Sequence, residues 1–175
     1  MSTNTLAHLL NPSSASDDSI IIPGAPTLSY AQYAYEIERT AELLAGAGVK
    51  PGRPVSIVLV NNLEFMVLFL AVARAGAVAA PLNPDYTVDE FKFFMEDADA
   101  QLAIVPPRTH LGRDAAKELG IPVLEASLDG GSVVLSNGSG TLTKTVDAPA
   151  PSPEDVAPFL HTSGTTSRPK GVPLT

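Results

Sequence analysis

The chain has 175 residues, 45% of them hydrophobic and 17% charged, which suits one globular domain or one lobe of a larger one and excludes general disorder. Nineteen acidic residues against 11 basic ones leave a net charge of -8, so the broad basic face of a nucleic-acid binder is excluded. The absence of cysteine removes disulfides, thiolate zinc sites and a cysteine nucleophile, and fits a reducing compartment.

Residues 1–26 form an N-terminal segment. Its opening "MSTNTLAHLLNPSSASDDS" has neither a basic n-region nor a long apolar core, so it does not read as a secretory signal, and a cytoplasmic location is expected. Ser29 with Gln32 makes a capping box, after which Tyr30, Tyr33, Ala34, Ile37, Ala41 and Leu44 fall on one helical face. Gly46 and Gly48 stop that helix, and "KPGRP" turns the chain. "VSIVLV" (Val55 to Val60) reads as a strand buried on both sides. Asn61 or Asn62 caps the next helix, whose run "FMVLFLAVA" is apolar all round and is expected to be covered on every face. A bilayer span needs about 20 apolar residues, so this shorter run predicts no membrane partner.

"VAAPL" gives a second strand, and Asn83-Pro84-Asp85 a turn. Thr87 with Glu90 caps a helix carrying Phe91, Phe94 and Met95. These aromatics, with Phe93, Phe65 and Phe69, read as core and not as a base-stacking platform. The acids of "MEDADA" read as an exposed last helical turn and not as a metal site. "QLAIVP" is a third strand, "RTHLGRDAAKELG" an exposed helix closed by Gly120, and "IPVLE" a fourth strand. Strands alternating with helices over residues 27–126 predict an α/β subdomain, a mostly parallel sheet flanked by helices. Residues 127–153 are expected to be a Gly/Ser/Pro-rich irregular segment and linker, with only "VVL" strand-like. Asn137-Gly138-Ser139 matches a glycosylation acceptor, which means little without a secretory signal. Residues 154–175 supply a short strand, "VAPFL", that feeds directly into "HTSGTTSRPKGVPLT".

That ending has the chemistry of a phosphate loop. Gly164 permits close backbone approach, consecutive N–H groups can form an anion nest, and Thr162, Ser163, Thr165, Thr166 and Ser167 add hydroxyl donors. Lys170 adds a point charge. It is not a Walker A loop. Counted from Gly164, the second glycine of G-x-x-x-x-G-K-[ST] falls on Pro169 and the final hydroxyl on Gly171. Composition alone would equally describe a flexible Ser/Thr/Gly linker, and the order of the residues is what separates the two.

"TSGTTSRPKG" resembles the phosphate-binding signature [ST]-[ST]-G-[ST]-[ST]-G-x-P-K-G of the AMP-forming acyl-CoA synthetases, adenylation domains and luciferases, the adenylate-forming superfamily. Ser167 stands where most members have glycine. That departure, with the flanking "LHTSGTTSRPKGVPLT", resembles the oxalate–CoA ligase branch in particular. The resemblance covers Leu28 to Val105 and Val156 to Thr175, and is loose over Pro106 to Pro153. It implies the N-terminal portion of the large domain of an acid–thiol ligase. Such an enzyme joins a small carboxylic acid to ATP as an acyl-adenylate and then to coenzyme A, with Mg2+ beside the ATP. The ATP-phosphate contacts it implies are Thr162, Ser163, Gly164, Thr165, Thr166 and Lys170. It assigns no catalytic residue and no metal ligand. The family's adenine, magnesium and ribose motifs and its catalytic lysine are expected beyond Thr175, so the chain by itself is expected not to turn over. A peroxisomal address would also lie there.

Two other readings stand beside this one: a 4-coumarate or acyl-CoA ligase using another acid, and a non-catalytic α/β nucleotide-binding module. His161 can face a carboxylate or a phosphate, although a histidine at a strand end is more commonly packed or solvated. Arg168 reads as a solvated loop charge.

Overall fold

The computed structural model describes residues 15–23, 27–162 and 169–175. Strands β1 (Asp18–Ile20) and β2 (Leu28–Ser29) pair antiparallel and lead into helix α1 (Tyr30–Gly46). The expected capping box forms at its start: the Gln32 N–H donates to Ser29 Oγ at 3.3 Å and the Ser29 N–H donates to Gln32 Oε1 at 2.9 Å. These bonds satisfy donors that the first turn of a helix leaves without partners. At the other end the Val49 N–H reaches Leu44 O and the Gly48 N–H reaches Ala45 O, with Gly48 at φ +90°. This is a Schellman closure.

The main sheet holds β3 (Pro54–Ile57), β4 (Val78–Pro81), β5 (Leu102–Val105), β6 (Val123–Asp129), β7 (Ser132–Asn137) and β8 (Gly140–Thr141). Their spatial order is β4-β3-β5-β6-β7-β8, parallel from β4 through β6 and antiparallel from there. The connecting helices are α2 (Leu63–Arg74), α3 (Val88–Asp97) and α4 (Leu111–Glu118). The step from β3 to β4 and the return past β3 to β5 run in opposite directions, so right-handed crossovers put α2 and α3 on opposite faces.

Each face buries its own core, as the pleat requires. Val55, Ile57, Leu102 and Ile104 join α1 and α2 side chains on one face, while Val58, Ala103 and Val105 meet Phe91, Phe94, Met95, Ala115 and Ala116 on the other. The expected mostly parallel α/β sheet is present. At roughly 25 cal/mol per Å², a fully buried Ile or Phe here contributes about 1.5–3 kcal/mol.

Four local expectations need correction. β3 ends at Ile57, not Val60: the Val58 N–H still bonds Ile104 O at 2.8 Å, but Val60 has left the layers and is 59% exposed. α2 is not covered all round, since Met66 is 39% exposed. α4 is not simply a surface helix. Gly112, Ala115 and Ala116 are buried, and their small size brings the helix down onto Val58.

The largest correction concerns residues 127–153, expected to be irregular. β6 runs through Asp129, Gly130 and Gly131 turn the chain at φ +57° and +93°, and β7 and β8 extend the sheet. The expected linker is also pinned down. The Val146 N–H donates to Glu42 O at 3.1 Å, and Arg74 Nη1 donates to Ala148 O at 3.3 Å and Pro149 O at 3.0 Å. Arg74 also forms a two-pronged pair with Glu38, at 2.7 and 2.6 Å. Gly46 has no room for a side chain because the Lys144 carbonyl passes directly against it. Gly, Ser and Pro composition signals turns and weak propensity, but these partners come from α1 and α2, far away in sequence.

Beyond the β4 edge lies a hairpin of β9 (Phe159–Thr162) and β10 (Lys170–Pro173). Its base is hydrogen-bonded to the sheet: the Ala79 N–H donates to Ala157 O at 2.8 Å, and Ala79 bridges Pro158 in parallel. The Ala157 N–H to Leu174 O and Leu174 N–H to Pro158 O bonds, 2.9 and 3.0 Å, close the base.

Candidate functional site

The hairpin carries the stretch singled out in the sequence. Its register sets Lys170 opposite Thr162, Gly171 opposite His161, Val172 opposite Leu160 and Pro173 opposite Phe159. Directly opposed residues share a face, so Thr162 and Lys170 stand together, both exposed, at the mouth of the connection. The Thr162 hydroxyl lies 3.5 Å from the Lys170 carbonyl, too long to lock either group. Ser163, Gly164, Thr165, Thr166, Ser167 and Arg168 lie outside the described residues. Of the six expected phosphate contacts, the structure therefore places Thr162 and Lys170. Among the described residues Lys170 forms no ion pair, which leaves its ammonium available to an anion.

The other face of the hairpin turns inward. Phe159 and His161 are half-buried, and the ring of Phe159 occupies the space a side chain at Gly171 would need. The last glycine of "PKG" is thus required by packing. His161 has a side chain only 6% exposed, lies edge-on to Phe94 and Phe159 with ring centroids 4.6 and 5.1 Å away, and sets Nε2 3.0 Å from Asp97 Oδ2. A carboxylate only accepts, so Nε2 carries the hydrogen and donates it. Among the described residues His161 Nδ1 is buried and meets no partner. Of the sequence alternatives for His161 the structure shows the packed one, and the carboxylate it meets is the chain's own Asp97.

Asp97 was not singled out in the sequence, where the "MEDADA" acids read as an exposed turn. That holds for Asp99, 83% exposed and 3.1 Å from Arg53, and for Asp97, whose side chain is 40% exposed but also accepts the His161 hydrogen bond. One signal was available. Asp97 is the last residue of α3, whose final turn has no basic residue. A carboxylate at that end of a helix is unfavourable by about 0.3–1 kcal/mol unless something offsets it. Behind His161 the expected aromatic core is present, with Phe94 stacked on Tyr86 at 4.7 Å and edge-on to Phe93 at 5.2 Å.

A strand-borne loop closed by Thr and Lys at the edge of a mostly parallel sheet can bind an anion such as a polyphosphate. Among the described residues no group of three or more His, Cys, Asp or Glu gathers to hold a metal ion, and no helix is long and apolar enough to cross a membrane.

The profile of the AMP-binding enzyme family matches residues 12–175. The chain belongs to that family. Among its curated relatives, a probable CoA ligase, CCL9, of Humulus lupulus is 42% identical over 98% of this chain and 34% of its own length. The oxalate–CoA ligase of Arabidopsis thaliana is also 42% identical, over 100% of this chain and 36% of its own length. Apo MatB from Rhodopseudomonas palustris superimposes with a TM-score of 0.79 at 28% identity, covering 100% of this chain and 35% of that one. Its ATP-bound structure matches with a TM-score of 0.65 at 32% identity over 86% of this chain and 30% of that one. This AMP-binding family chain spans about a third of the length of the curated relatives it matches. The sheet and its two helical layers are those of adenylate-forming CoA ligases.

Proposed function

We propose that this chain supplies the ATP-phosphate-binding part of an AMP-forming acid–CoA ligase, with a small carboxylic acid, oxalate foremost, as the acid. The observation that carries this reading is the hairpin, which brings Thr162 and Lys170 face to face at the two ends of the Ser163–Pro169 connection. Those ends offer a hydroxyl and an ammonium, and the sequence between them supplies a glycine and four further hydroxyls.

In the reaction proposed, a carboxylate oxygen attacks the α-phosphorus of ATP. The bond from that phosphorus to the bridging oxygen of the β-phosphate breaks, and pyrophosphate leaves. The thiol of coenzyme A then gives up its proton and attacks the acyl carbon, and AMP leaves with the bonding pair. The first step concentrates negative charge on the departing pyrophosphate. The Lys170 ammonium, carried at the start of β10, offers that charge a charge-assisted hydrogen bond. The hydroxyls and N–H groups hold the phosphates in line for attack. Mg2+, bound through the nucleotide's oxygens, would offset the remaining charge. Ser163, Gly164, Thr165 and Thr166 complete the proposed set of contacts, which leaves out Ser167, the residue that stands where most family members have glycine.

Oxalate is favoured by the run "LHTSGTTSRPKGVPLT" and by the Arabidopsis relative. The equal identity to the hop CoA ligase favours a second reading, the same chemistry on a different acid such as a coumarate-type substrate. The proposal includes a cytoplasmic location, or a peroxisomal one should a C-terminal address be present. Acid-dependent exchange of labelled pyrophosphate into ATP, run on the full-length polypeptide carrying this sequence with a panel of acids, tests all of this. Fastest exchange with oxalate is the expected result. Exchange only with aromatic or fatty acids selects the second reading, and no exchange with any acid leaves a nucleotide-binding module.

A further inference from the structure

The hairpin is joined to the domain in two ways. Backbone bonds hold its base at Ala157, Pro158 and Leu174, and the His161 side chain holds it one residue from the loop. We infer that His161 and Asp97 are a positioning pair that fastens the phosphate-loop hairpin to the end of α3, so that Thr162 and Lys170 meet ATP at a fixed place. The inference rests on the ATP reading above and extends it to two residues that do not themselves touch nucleotide.

Three observations carry it. The strand alternation puts His161 on the face opposite Thr162 and Lys170, with its side chain 6% exposed. It therefore acts on the loop through the backbone of β9, and not by contact with a phosphate. Packing alone does not explain a histidine here: among the described residues Nδ1 is buried without a partner, a cost that a phenylalanine between Phe94 and Phe159 would not carry. The Nε2–H bond to Asp97 is what the imidazole adds. Asp97, for its part, ends a helix whose last turn has no basic residue, and the imidazole N–H is the donor that offsets its charge. Nε2 of His161 and the Asp97 carboxylate are each other's partner, and the bond spans 64 positions in sequence, from α3 to β9.

The test uses the full-length polypeptide with Asp97→Ala, His161→Ala, the double variant and Asp97→Asn. Losing a hydrogen bond to a charged group should raise the KM for ATP about tenfold in each alanine variant, with the KM for the acid unchanged. The double variant should be no worse than either single one, because the two residues form one unit. Asp97→Asn keeps a carbonyl oxygen for the Nε2–H and should stay within about threefold of the parent. An unchanged ATP KM in both alanine variants overturns the inference, as do multiplied effects in the double variant or equal rises for ATP and acid. Should His161→Ala fail to fold, Asp97→Ala and Asp97→Asn still decide, since they leave the ring packing in place.

Amide hydrogen exchange separates this inference from the proposed function. Loss of protection at residues 159–162 and 170–173 in Asp97→Ala, restored in Asp97→Asn, upholds the pair even if the parent shows no pyrophosphate exchange. Unchanged protection sinks the pair even if the parent is an active ligase.

Discussion

Phe159 fills the place of a side chain at Gly171. The two residues lie on adjacent strands of the phosphate-loop hairpin, on the face turned toward α3, and a Cβ at position 171 would overlap the far end of the Phe159 ring. That ring is also the edge-on neighbour of His161. Gly171→Ala should therefore push Phe159 into His161 and destabilise the domain by about 1–3 kcal/mol, the usual cost of overpacking. Thermal unfolding of the variant measures this. Phe159→Ala in the same background removes the obstacle, and a failure to recover part of the loss would show that the ring is not the cause.

Lys170 should behave in the opposite way. Its side chain is exposed and unpaired among the described residues, so Lys170→Ala should change stability by no more than about 0.5 kcal/mol. Pyrophosphate exchange by the full-length polypeptide should fall about 10- to 100-fold with every acid offered, the loss expected from one charge-assisted bond to phosphate. Unchanged exchange would remove Lys170 from the site. A loss confined to one acid would place it at the acid and not at ATP.

Glu36 should contribute to the acid limb of stability. It is 5% exposed, accepts the Val133 N–H at 3.1 Å and the Ser132 hydroxyl at 2.9 Å, and pairs with Arg39 at 2.9 Å. Burial pushes its carboxyl up, but the bonds from Arg39, Ser132 and Val133 outweigh this and hold it below the ordinary value. A lowered folded-state pKa means stability that is fully present above the unfolded value of about 4.3 and is lost as pH falls through the folded one. Glu36→Ala should cost about 2–3 kcal/mol at pH 7, because it leaves the buried Val133 N–H without its acceptor. Denaturant midpoints measured from pH 7 down to pH 2 should show a shallower acid limb in Glu36→Gln than in the parent. Parallel curves would assign that limb to other carboxylates.

Asp99 is the one non-glycine residue with positive φ among the described residues, at 51°. It occupies the closing position of α3 that Gly48, Gly76 and Gly120 hold after the other three helices. The Asp99 N–H still reaches Glu96 O and the Ala100 N–H reaches Met95 O, so the closure is intact. Asp99→Gly should stabilise by about 0.5 kcal/mol, the relieved backbone strain being partly offset by loss of the exposed Arg53 pair. A lowered melting temperature would show that the Asp99–Arg53 pair outweighs the strain.

Much of this architecture is local information. Ser29 with Gln32 and Thr87 with Glu90 form their capping boxes because each needs only donors and acceptors within one turn, and "VAAPL" and "QLAIVP" become strands through local β-branched or apolar runs. The order of residues in "TSGTTSRPKG" is likewise local and matches the family to which the chain belongs. Reading stopped where partners are distant. "SLDGGSVVLSNGSGT" is an exception, since its strands pair locally across the Gly130-Gly131 turn, a hairpin signal hidden in a Gly- and Ser-rich composition. "DAPAP" is held by Glu42 and Arg74, which no local pattern connects to it.

The same boundary divides the site. Sequence determined its chemistry: a lysine, hydroxyls and a glycine in an order that excludes Walker A and fits an adenylate-forming loop. Tertiary structure decided its mounting. Whether His161 meets phosphate or carboxylate depends on which face of β9 it occupies and on what lies 64 residues upstream, and that is fixed by the docking of the hairpin beside β4 with α3 beneath it. A motif records which groups are supplied; only the packing of distant elements determines where they point.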